Sequence, residues 1–488
     1  MIVGIGIAYF LCCAAIGWWA TKRTRTAEDF FVAGRSVGLL PFAIAAMATT
    51  LSGFTFIGGP GLIYTVGFTA LFISLPAGFT NTMGALVLGK RMRLLGEVRR
   101  LVTVPDAIGA RYRSPAAQGI SAIAILVGLL GYLATNILAL GIVVDSIFHV
   151  GLGPGIWIGT AVLLAYSAGG GILAGIWTDV FQGALMALTS TLVFLAALDA
   201  GGGLAAITLA LQSADPSLVE PWGARGAMVA LSYFFVFGVG SFGQPHVAHK
   251  YYMIKDIRRL RWYPLLMSIT MALALMLFFS VGFSVRAMVA AGDLPALARP
   301  DDATPTFLLT QVPIVLAALV FSGVAAAIMS TVSSFLSVGA AAVTHDIPRA
   351  FGRAAEADSR TLRRGRTWTV VLCVLGAALA HNSGTLVAFL GIFGYGLFAA
   401  TVLPSLAVGL NWEGATREGA IASICTGVVI TLGLETLAWL KLVTLPVGVT
   451  VSGLTLVTSL LVFVGVSFAT RRNAEGQLDA DVRRVMRI

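Results

Sequence analysis

Charged side chains are scarce in this chain, since Asp, Glu, Lys and Arg together make up 11% of its 488 residues. A soluble domain usually carries about 25% charged residues, so the composition excludes an ordinary soluble protein. Hydrophobic residues account for 58% of the chain, and the mean hydropathy is +0.91. These values predict a protein that crosses the membrane many times.

Cysteine and histidine are also rare, with four and five residues. All four cysteines lie in apolar segments without metal-ligand spacing, so they indicate neither a disulfide nor a metal centre. No histidine has an evident partner for nucleophilic or acid–base chemistry, so we expect no enzyme and no cofactor. The net charge of +10 would suggest nucleic acid for a soluble chain. In a membrane protein the distribution of charge matters more, and we expect neither a nucleic acid nor an obligatory protein partner.

Long apolar runs, in contrast, follow one another along the whole chain. Runs of about 20 apolar residues are long enough to cross a bilayer as helices. Thirteen such spans are predicted, at 2–20, 38–65, 67–89, 117–146, 154–173, 176–199, 227–249, 263–290, 306–343, 367–380, 384–409, 418–436 and 444–469. No polar stretch between them is long enough for a soluble domain. The chain is therefore predicted to be an all-α polytopic membrane protein.

The basic residues predict how these spans are oriented. If the N-terminus is outside, the cytoplasmic segments hold 28 of the 32 Lys and Arg residues. Those segments are 21–37, 90–116, 250–262, 344–366, 410–417 and 470–488. Since positively charged loops stay in the cytoplasm, this bias predicts a multi-pass protein of the cell inner (plasma) membrane. Its N-terminus would lie outside and its C-terminus in the cytoplasm.

Two predicted spans are interrupted by glycine and proline. The first break reads TTLSGFTFIGGPG at 49–61, and the second reads FGVGSFGQPH at 237–246. They begin successive groups of five spans, 38–199 and 227–409. Unpaired backbone groups are costly in hydrocarbon, so such breaks must line something polar. Matched breaks in two halves are typical of an inverted-repeat transporter whose site lies between them.

This symmetry divides the chain into five regions. They are an extra helix with a cytoplasmic loop (1–37), a first five-helix repeat (38–199), an extracellular loop (200–226), a second five-helix repeat (227–409), and two C-terminal helices with a basic cytoplasmic tail (410–488). We expect the transport site between the two repeats, with the lipid bilayer around them.

Two further polar features lie inside predicted spans. In AAAIMSTVSS at 325–334, positions 327, 330, 331 and 334 share one helix face. Hydroxyl oxygens suit a hard cation, although Ser and Thr can instead bond to their own helix and permit close packing. Asp179 lies near the cytoplasmic start of the sixth span. It is either a functional carboxylate within the membrane or a cap of that helix beside Thr178.

Six ordered segments resemble the sodium:solute symporter family, and the likeness covers nearly the whole chain. They are AEDFFVAGR (27–35), ATTLSGFTFIGGPGLIYTVG (48–67), VPDAIGARY (104–112), GGGILAGIWTDVFQG (169–183), GQPHVAHKYYMIKD (243–256) and AAAIMSTVSSFLSVGAAAVTHDI (325–347). The resemblance implies a leucine-transporter-type 5+5 inverted repeat with one extra N-terminal helix and two C-terminal helices. It implies a symporter that imports a small organic solute with sodium by alternating access.

The resemblance also implies two sodium sites, with sodium as a coupling ion and no other metal. The first site would be formed by carbonyls of Ala48, Leu51 and Ala327 and hydroxyls of Ser330 and Thr331. Some family members have a second site, and its places are occupied here by Asp179, Ser333 and Ser334. The resemblance therefore implies that two sodium ions are transported per cycle.

Substrate contacts are expected from both breaks. The residues concerned are Thr50, Ser52, Phe54 and Thr55 in the first break and Phe237, Ser241 and Gln244 in the second, with Tyr395 as a gate. The aromatic residues among them are alternatively packing residues. GQPH at 243–246 is similar to the proline, pantothenate and monocarboxylate branches of the family. We therefore expect a monocarboxylate, a pantothenate-like acid or an amino acid such as proline.

Departures from the family pattern argue against two candidate substrates. Proline symporters carry Trp and Tyr where this chain has Phe237 and Ser241, and an acid where it has Thr50, which argues against proline itself. The sialic acid branch uses an arginine on the span that corresponds to 117–146. That segment contains no arginine, which argues against sialic acid.

Two other classes are alternatives to a symporter. FGYG at 393–396 is similar to the filter of potassium channels, whose carbonyls replace the hydration shell of the ion. A channel filter needs four copies around an axis, whereas this motif occurs once, inside a long apolar span. A transporter-like sensor without coupled uptake is the other alternative, although the chain carries no signalling domain.

Overall fold

The computed structural model describes residues 1–21, 35–167, 171–352, 358–473 and 475–488. In these ranges the regular structure is helical, and the one extended pairing is an isolated bridge between Val37 and Ile254. The predicted all-α class is confirmed. Residues 27–34 of the first family motif and 169–170 of the fourth lie outside the described residues.

The first half of the chain contains an N-terminal helix followed by one broken helix, a kinked stretch and three long helices. These elements are α1 (Ile2–Thr21), α2 (Leu39–Thr50), α3 (Gly59–Val66), α4 (Leu71–Ser74), α5 (Ala77–Gly84), α6 (Lys90–Arg99), α7 (Val104–Tyr112), α8 (Pro115–Phe148), α9 (Leu152–Ser167) and α10 (Gly171–Ala200). Wider π-helical turns join α2 to α3 at Phe54–Gly58 and α5 to α6 at Ala85–Gly89.

The second half repeats the broken helix and ends in a pair of helices. Its elements are α11 (Gly203–Ala214), α12 (Gly226–Gly238), α13 (Pro245–Lys250), α14 (Tyr263–Ala291), α15 (Ala303–Thr310), α16 (Ile314–Ala341), α17 (Ile347–Ala350), α18 (Asp358–Asn382), α19 (Val387–Val402), α20 (Gly409–Asn411), α21 (Arg417–Trp439), α22 (Val451–Ala469) and α23 (Ala480–Met486).

Nine helical stretches of the described chain are long and apolar enough to cross a membrane. Shorter apolar helices lie at 2–16, 39–50, 152–165 and 203–214. Each predicted span contains a helix, and the helix at 203–214 lies in the predicted extracellular loop. The membrane-spanning character is confirmed, whereas the number thirteen stays a prediction.

The predicted boundaries of the ninth and thirteenth spans are wrong. The predicted span 306–343 is divided into α15 and α16, because Pro313 adopts an extended conformation before α16 begins. The predicted start at 444 is several residues early, since α22 begins at Val451. Thr450 caps it there, with its Oγ1 accepting a hydrogen bond from the amide of Gly453 at 3.1 Å.

Three long helices surround the first broken helix. α8 packs against α9, α16, α18 and α19, and α10 packs against α1, α2, α14 and α16. α2 also contacts α13, which follows the second break. The turns at both breaks contact α19, so the two breaks lie near each other in the interior of the helix bundle.

Candidate functional site

The first break is an extended stretch of backbone between α2 and α3. Leu51 has φ −88° and ψ 129°, so helical hydrogen bonding stops there. Side chains satisfy groups freed by the break: the amide of Gly53 donates to Asn136 Oδ1 at 2.9 Å, and the amide of Phe54 donates to Ser52 Oγ at 3.2 Å. The break is thus stable within the bundle because neighbouring polar side chains replace the lost helical partners.

Gly53 lets the break approach its neighbours closely. A Cβ atom at this position would lie 2.6 Å from the Cβ of Ala139 on α8 and 3.1 Å from Cγ1 of Ile328 on α16. Any larger residue would push the break away from both helices. The glycine therefore brings the backbone carbonyls of this segment within reach of the hydroxyls on α16.

The second break lies between α12 and α13. A tight helical turn covers Val239–Gly243, and Gln244 is extended with φ −75° and ψ 109°. Pro245 then begins α13, where its missing N–H group costs no helical hydrogen bond. The matched interruptions expected from the glycine and proline clusters are therefore present in both halves.

Of the residues expected at the first sodium site, Leu51 and Thr331 are in direct contact, and all five are buried. Ala48, Leu51, Ala327, Ser330 and Thr331 are all at most 1% exposed. The hydroxyl of Thr331 donates to the carbonyl of Leu51 at 2.9 Å and lies 3.3 Å from the carbonyl of Thr49. Oxygens about 3 Å apart can both lie about 2.4 Å from one hard cation. This geometry suits a dehydrated cation bound between the break and α16.

Asp179 is fully inside the protein and connects to the same helices. Its Oδ1 accepts a hydrogen bond from Ser330 Oγ at 2.5 Å, and its Oδ2 lies 3.4 Å from Thr49 Oγ1. Thr49 Oγ1 lies 3.2 Å from Ser334 Oγ. Asp179 is thus part of a buried polar network with two of the hydroxyl residues on α16, rather than an exposed helix cap.

Lys250 is the residue of this site that the sequence analysis missed. Its Nζ donates to Asp179 Oδ2 at 2.6 Å and to the carbonyl of Ala45 at 3.0 Å. The side chains of Lys250 and Asp179 are 4% and 2% exposed. The assignment of Lys250 to the cytoplasmic loop 250–262 is therefore wrong, because its ammonium group is paired inside the bundle. Its place directly after the apolar run, within the segment GQPHVAHKYY, is typical of a loop lysine and gives no sign of this pairing.

A small cavity of about 20 Å³ adjoins this ion pair. Asp179, Lys250, Ser333 and Ser334 line it together with Gly175 and other residues of α10, α13 and α16. A polar cavity of this size can hold about one water molecule or a small ion. The residues expected at a second sodium site therefore share one cavity, which also contains the ammonium group of Lys250.

Aromatic residues from three elements stack beside the breaks. The rings of Phe54 and Phe237 are 5.7 Å apart, and those of Phe237 and Tyr395 are 4.3 Å apart, both stacked. Tyr395 also donates from its hydroxyl to the carbonyl of Phe237 at 3.1 Å. Tyr395 on α19 therefore connects directly to the second broken helix.

Polar atoms next to this stack lack partners in the described part of the chain. Ser241 Oγ and Gln244 Oε1 are buried and accept or donate no hydrogen bond there. Gln244 Nε2 does donate to the carbonyl of Gly240 at 3.2 Å. Buried polar groups are normally hydrogen-bonded, so these two atoms are suited to a polar ligand.

The hydroxyls of the first break are partly used by the backbone. Thr50 Oγ1 donates to the carbonyl of Ala46 at 2.8 Å, one turn back along α2. Ser52 accepts from the amide of Phe54, and Thr55 Oγ1 accepts from the amide of Ser52 at 3.4 Å. Ser52 and Thr55 are buried beside the aromatic stack, whereas Thr50 is half-buried.

A second polar cluster, for which no role was predicted, joins α7 to α17 and to the π-helical turn Ala342–Asp346 that follows α16. Asp106 Oδ2 lies 3.0 Å from His345 Nε2, and Asp106 Oδ1 lies 3.3 Å from Arg349 Nη1. Burial opposes ionisation of Asp106, but its contacts with His345 and Arg349 outweigh this and lower the pKa of the carboxyl group. Asp346 accepts a hydrogen bond from Thr103 at 2.6 Å in the same cluster.

Comparison with known proteins identifies relatives over most of the chain. A model of the sodium:solute symporter family matches residues 30–427. The osmoregulated proline transporter OpuE of Bacillus subtilis is 28% identical over 440 residues, which cover 88% of each chain. The sodium/pantothenate symporter of Escherichia coli is 28% identical over 443 residues, covering 88% of this chain and 90% of that one.

Solved structures confirm the type of fold. A Na⁺-coupled sialic acid symporter in a substrate-bound outward-open state has a TM-score of 0.76 at 20% identity, covering 96% of this chain and 98% of that one. Mhp1, a nucleobase-cation-symport-1 family transporter, has a TM-score of 0.55 at 15% identity, covering 94% and 98%. The expected leucine-transporter-type fold is confirmed.

Proposed function

Because the chain belongs to the sodium:solute symporter family, and is a sodium-coupled transporter rather than an enzyme, we propose that it imports a small organic acid or amino acid. The solute would be a monocarboxylate, a pantothenate-like acid or an amino acid such as proline. The observation that carries this proposal is the meeting of the break carbonyls with the hydroxyls of α16 beside buried Asp179. Hard oxygen ligands in a dry site suit sodium, and the adjacent second break offers unpaired polar atoms to a solute.

Alternating access follows from the position of the sodium ligands on two different elements. Sodium between Leu51 of the break and Thr331 of α16 would draw these elements together. Such an ion stabilises whichever conformation brings the ligands closest, which we assign to the outward-open, substrate-binding state. Loss of sodium to the cytoplasm then releases the solute. The aromatic stack of Phe54, Phe237 and Tyr395 would close over the solute in between.

Two sodium ions per cycle would give the transporter high concentrating power. Each sodium ion that crosses a potential of about 100 mV supplies roughly 2.3 kcal/mol, and a tenfold gradient adds about 1.4 kcal/mol. Two ions therefore supply about 7 kcal/mol, enough for about 10⁵-fold accumulation of a neutral solute. One ion would support only about 400-fold accumulation.

A counterflow screen in proteoliposomes tests the function directly. Vesicles that contain the purified protein are loaded with unlabelled proline, pantothenate, acetate, pyruvate or lactate and diluted into the labelled compound with sodium. The true substrate accumulates transiently because of exchange, and only when sodium is present. A channel gives no such stimulation, and a sensor without coupled uptake gives no accumulation. Sodium-independent uptake of every compound would contradict the proposal.

The orientation of the chain is proposed from its charge bias, with the N-terminus outside and the C-terminus in the cytoplasm. In a variant without native cysteines, Ala296→Cys is expected to react with an impermeant maleimide only from outside, and Arg258→Cys only from the cytoplasm. Both positions are exposed and flank α14. Labelling of both from the same side would mean that α14 does not cross the membrane.

A further inference from the structure

The buried ammonium group of Lys250 occupies the place where a second sodium ion is proposed to bind. We propose that the ammonium group of Lys250 acts as a tethered counter-cation, that is, a positive charge attached to the protein that takes the place of an ion. It pairs with Asp179 in the ion-free transporter and separates from it when sodium binds. This inference rests on the proposed function, because it concerns the same carboxylate. It assigns Lys250 a positioning role in the return of the empty transporter.

Charge balance is the first argument. With Lys250 in contact at 2.6 Å, the carboxylate of Asp179 is neutralised inside the protein. A sodium ion added while this contact persists would leave one uncompensated positive charge in a site that is almost closed to water. Burying an unpaired charge is strongly unfavourable. Sodium and the ammonium group of Lys250 therefore compete for the same carboxylate.

The position of Lys250 in the fold is the second argument. It is the last residue of α13, which follows the second break, whereas Asp179 is on α10. Its Nζ also binds the carbonyl of Ala45 on α2, before the first break. One flexible side chain thus joins both broken helices to α10. Any movement of α13 relative to α10 can withdraw the ammonium group, and the adjoining cavity offers sodium a place beside Asp179.

Because of this competition, loss of the Lys250 charge should impair net uptake more than exchange. In net uptake the transporter must return without sodium, and a bare Asp179 carboxylate would then be buried without a partner. In exchange the transporter returns with sodium and solute bound, so the tethered cation is not needed. A role of Lys250 in packing alone would affect both processes equally.

The test compares Lys250→Met, which keeps an unbranched side chain that is one atom shorter but removes its charge, with Lys250→Arg. For Lys250→Met, we expect net sodium-driven uptake to fall by about tenfold or more, whereas counterflow with sodium on both sides stays within about threefold of wild type. Equilibrium binding of radiolabelled sodium to the purified variant should tighten by about tenfold, because the competitor is gone. Lys250→Arg should retain most of the net uptake. Lys255→Met, on an exposed lysine nearby, is the matched control and should change neither quantity.

Two results would overturn the inference: parallel loss of net uptake and counterflow in folded Lys250→Met, or sodium binding that is unchanged or weaker.

If that variant does not fold, Asp179→Asn/Lys250→Met removes both charges of the pair. It should fold and exchange solute with sodium, and its net uptake should exceed that of Asp179→Asn by about tenfold. Equal net uptake in these two variants would refute the competition. Failure of the proposed function would instead appear in the wild type, as uptake that does not depend on sodium.

Discussion

Removal of two hydroxyls, with Ser330→Ala and Thr331→Ala, is expected to raise the sodium concentration for half-maximal uptake by about tenfold or more. Both residues are fully buried, and the Thr331 hydroxyl lies 2.9 Å from the Leu51 carbonyl. Water cannot replace the missing ligands easily in such a dry site. Initial rates of solute uptake at graded sodium concentrations measure the effect.

Ser322→Ala provides the matched control for this double variant. Ser322 is on the same helix, is also buried, and donates to the carbonyl of Ala318 at 2.9 Å. It should leave the sodium dependence unchanged, since its hydroxyl bonds to its own helix. If the double variant folds and keeps the sodium dependence of the wild type, the ion is bound elsewhere.

Asp179→Asn is expected to lower the accumulation of solute by several hundred-fold, because the driving energy of one sodium ion, about 3.7 kcal/mol, is lost. The amide keeps the shape of the carboxylate but cannot neutralise a cation. It also leaves the buried ammonium group of Lys250 without its partner. Uptake should stay detectable, and the Hill coefficient for sodium should fall from near two towards one. Steady-state accumulation and sodium titrations in proteoliposomes measure both quantities.

Asp199→Asn is the control on the same helix, since Asp199 is exposed near the other end of α10. The solute accumulation and the sodium Hill coefficient of this variant should match those of the wild type. A wild-type coefficient of one, together with normal accumulation by Asp179→Asn, would make the protein a one-sodium symporter. Asp179 would then have only a structural role.

Local sequence patterns predicted the elements that carry the proposed sodium ligands. Clusters of glycine and proline at matching places in two apolar halves predicted both breaks, because such matched interruptions are typical of the broken helices of transporters. Helical spacing placed Ser330 and Thr331 on one face, and the hydroxyl of Thr331 does bond to the first break. These signals lie within a few residues of one another, which is why a single sequence reveals them.

The pairing of Lys250 with Asp179 could not be predicted from local sequence patterns. The two residues are 71 positions apart in the chain, and a lysine at the end of an apolar run is usually a loop residue. Asn136 is similar, because its bond to Gly53 joins residues 83 positions apart. Contacts of this kind depend on how the helices pack, and one sequence holds no signal for that packing.

Hydrogen bonds from three neighbouring helices hold the first break in place. The side-chain oxygen of Asn136 on α8 accepts from the amide of Gly53, and the hydroxyl of Thr331 on α16 donates to the carbonyl of Leu51. The hydroxyl of Thr304 on α15 donates to the carbonyl of Phe56. Each such hydrogen bond contributes about 1 kcal/mol, whereas shifting a population of two conformations from 1:99 to 99:1 requires about 5.5 kcal/mol. The loss of one such bond is therefore a sizeable part of the free energy that separates two conformations of a transporter. The balance between them can be adjusted from Asn136 on α8, a helix that carries none of the proposed sodium ligands.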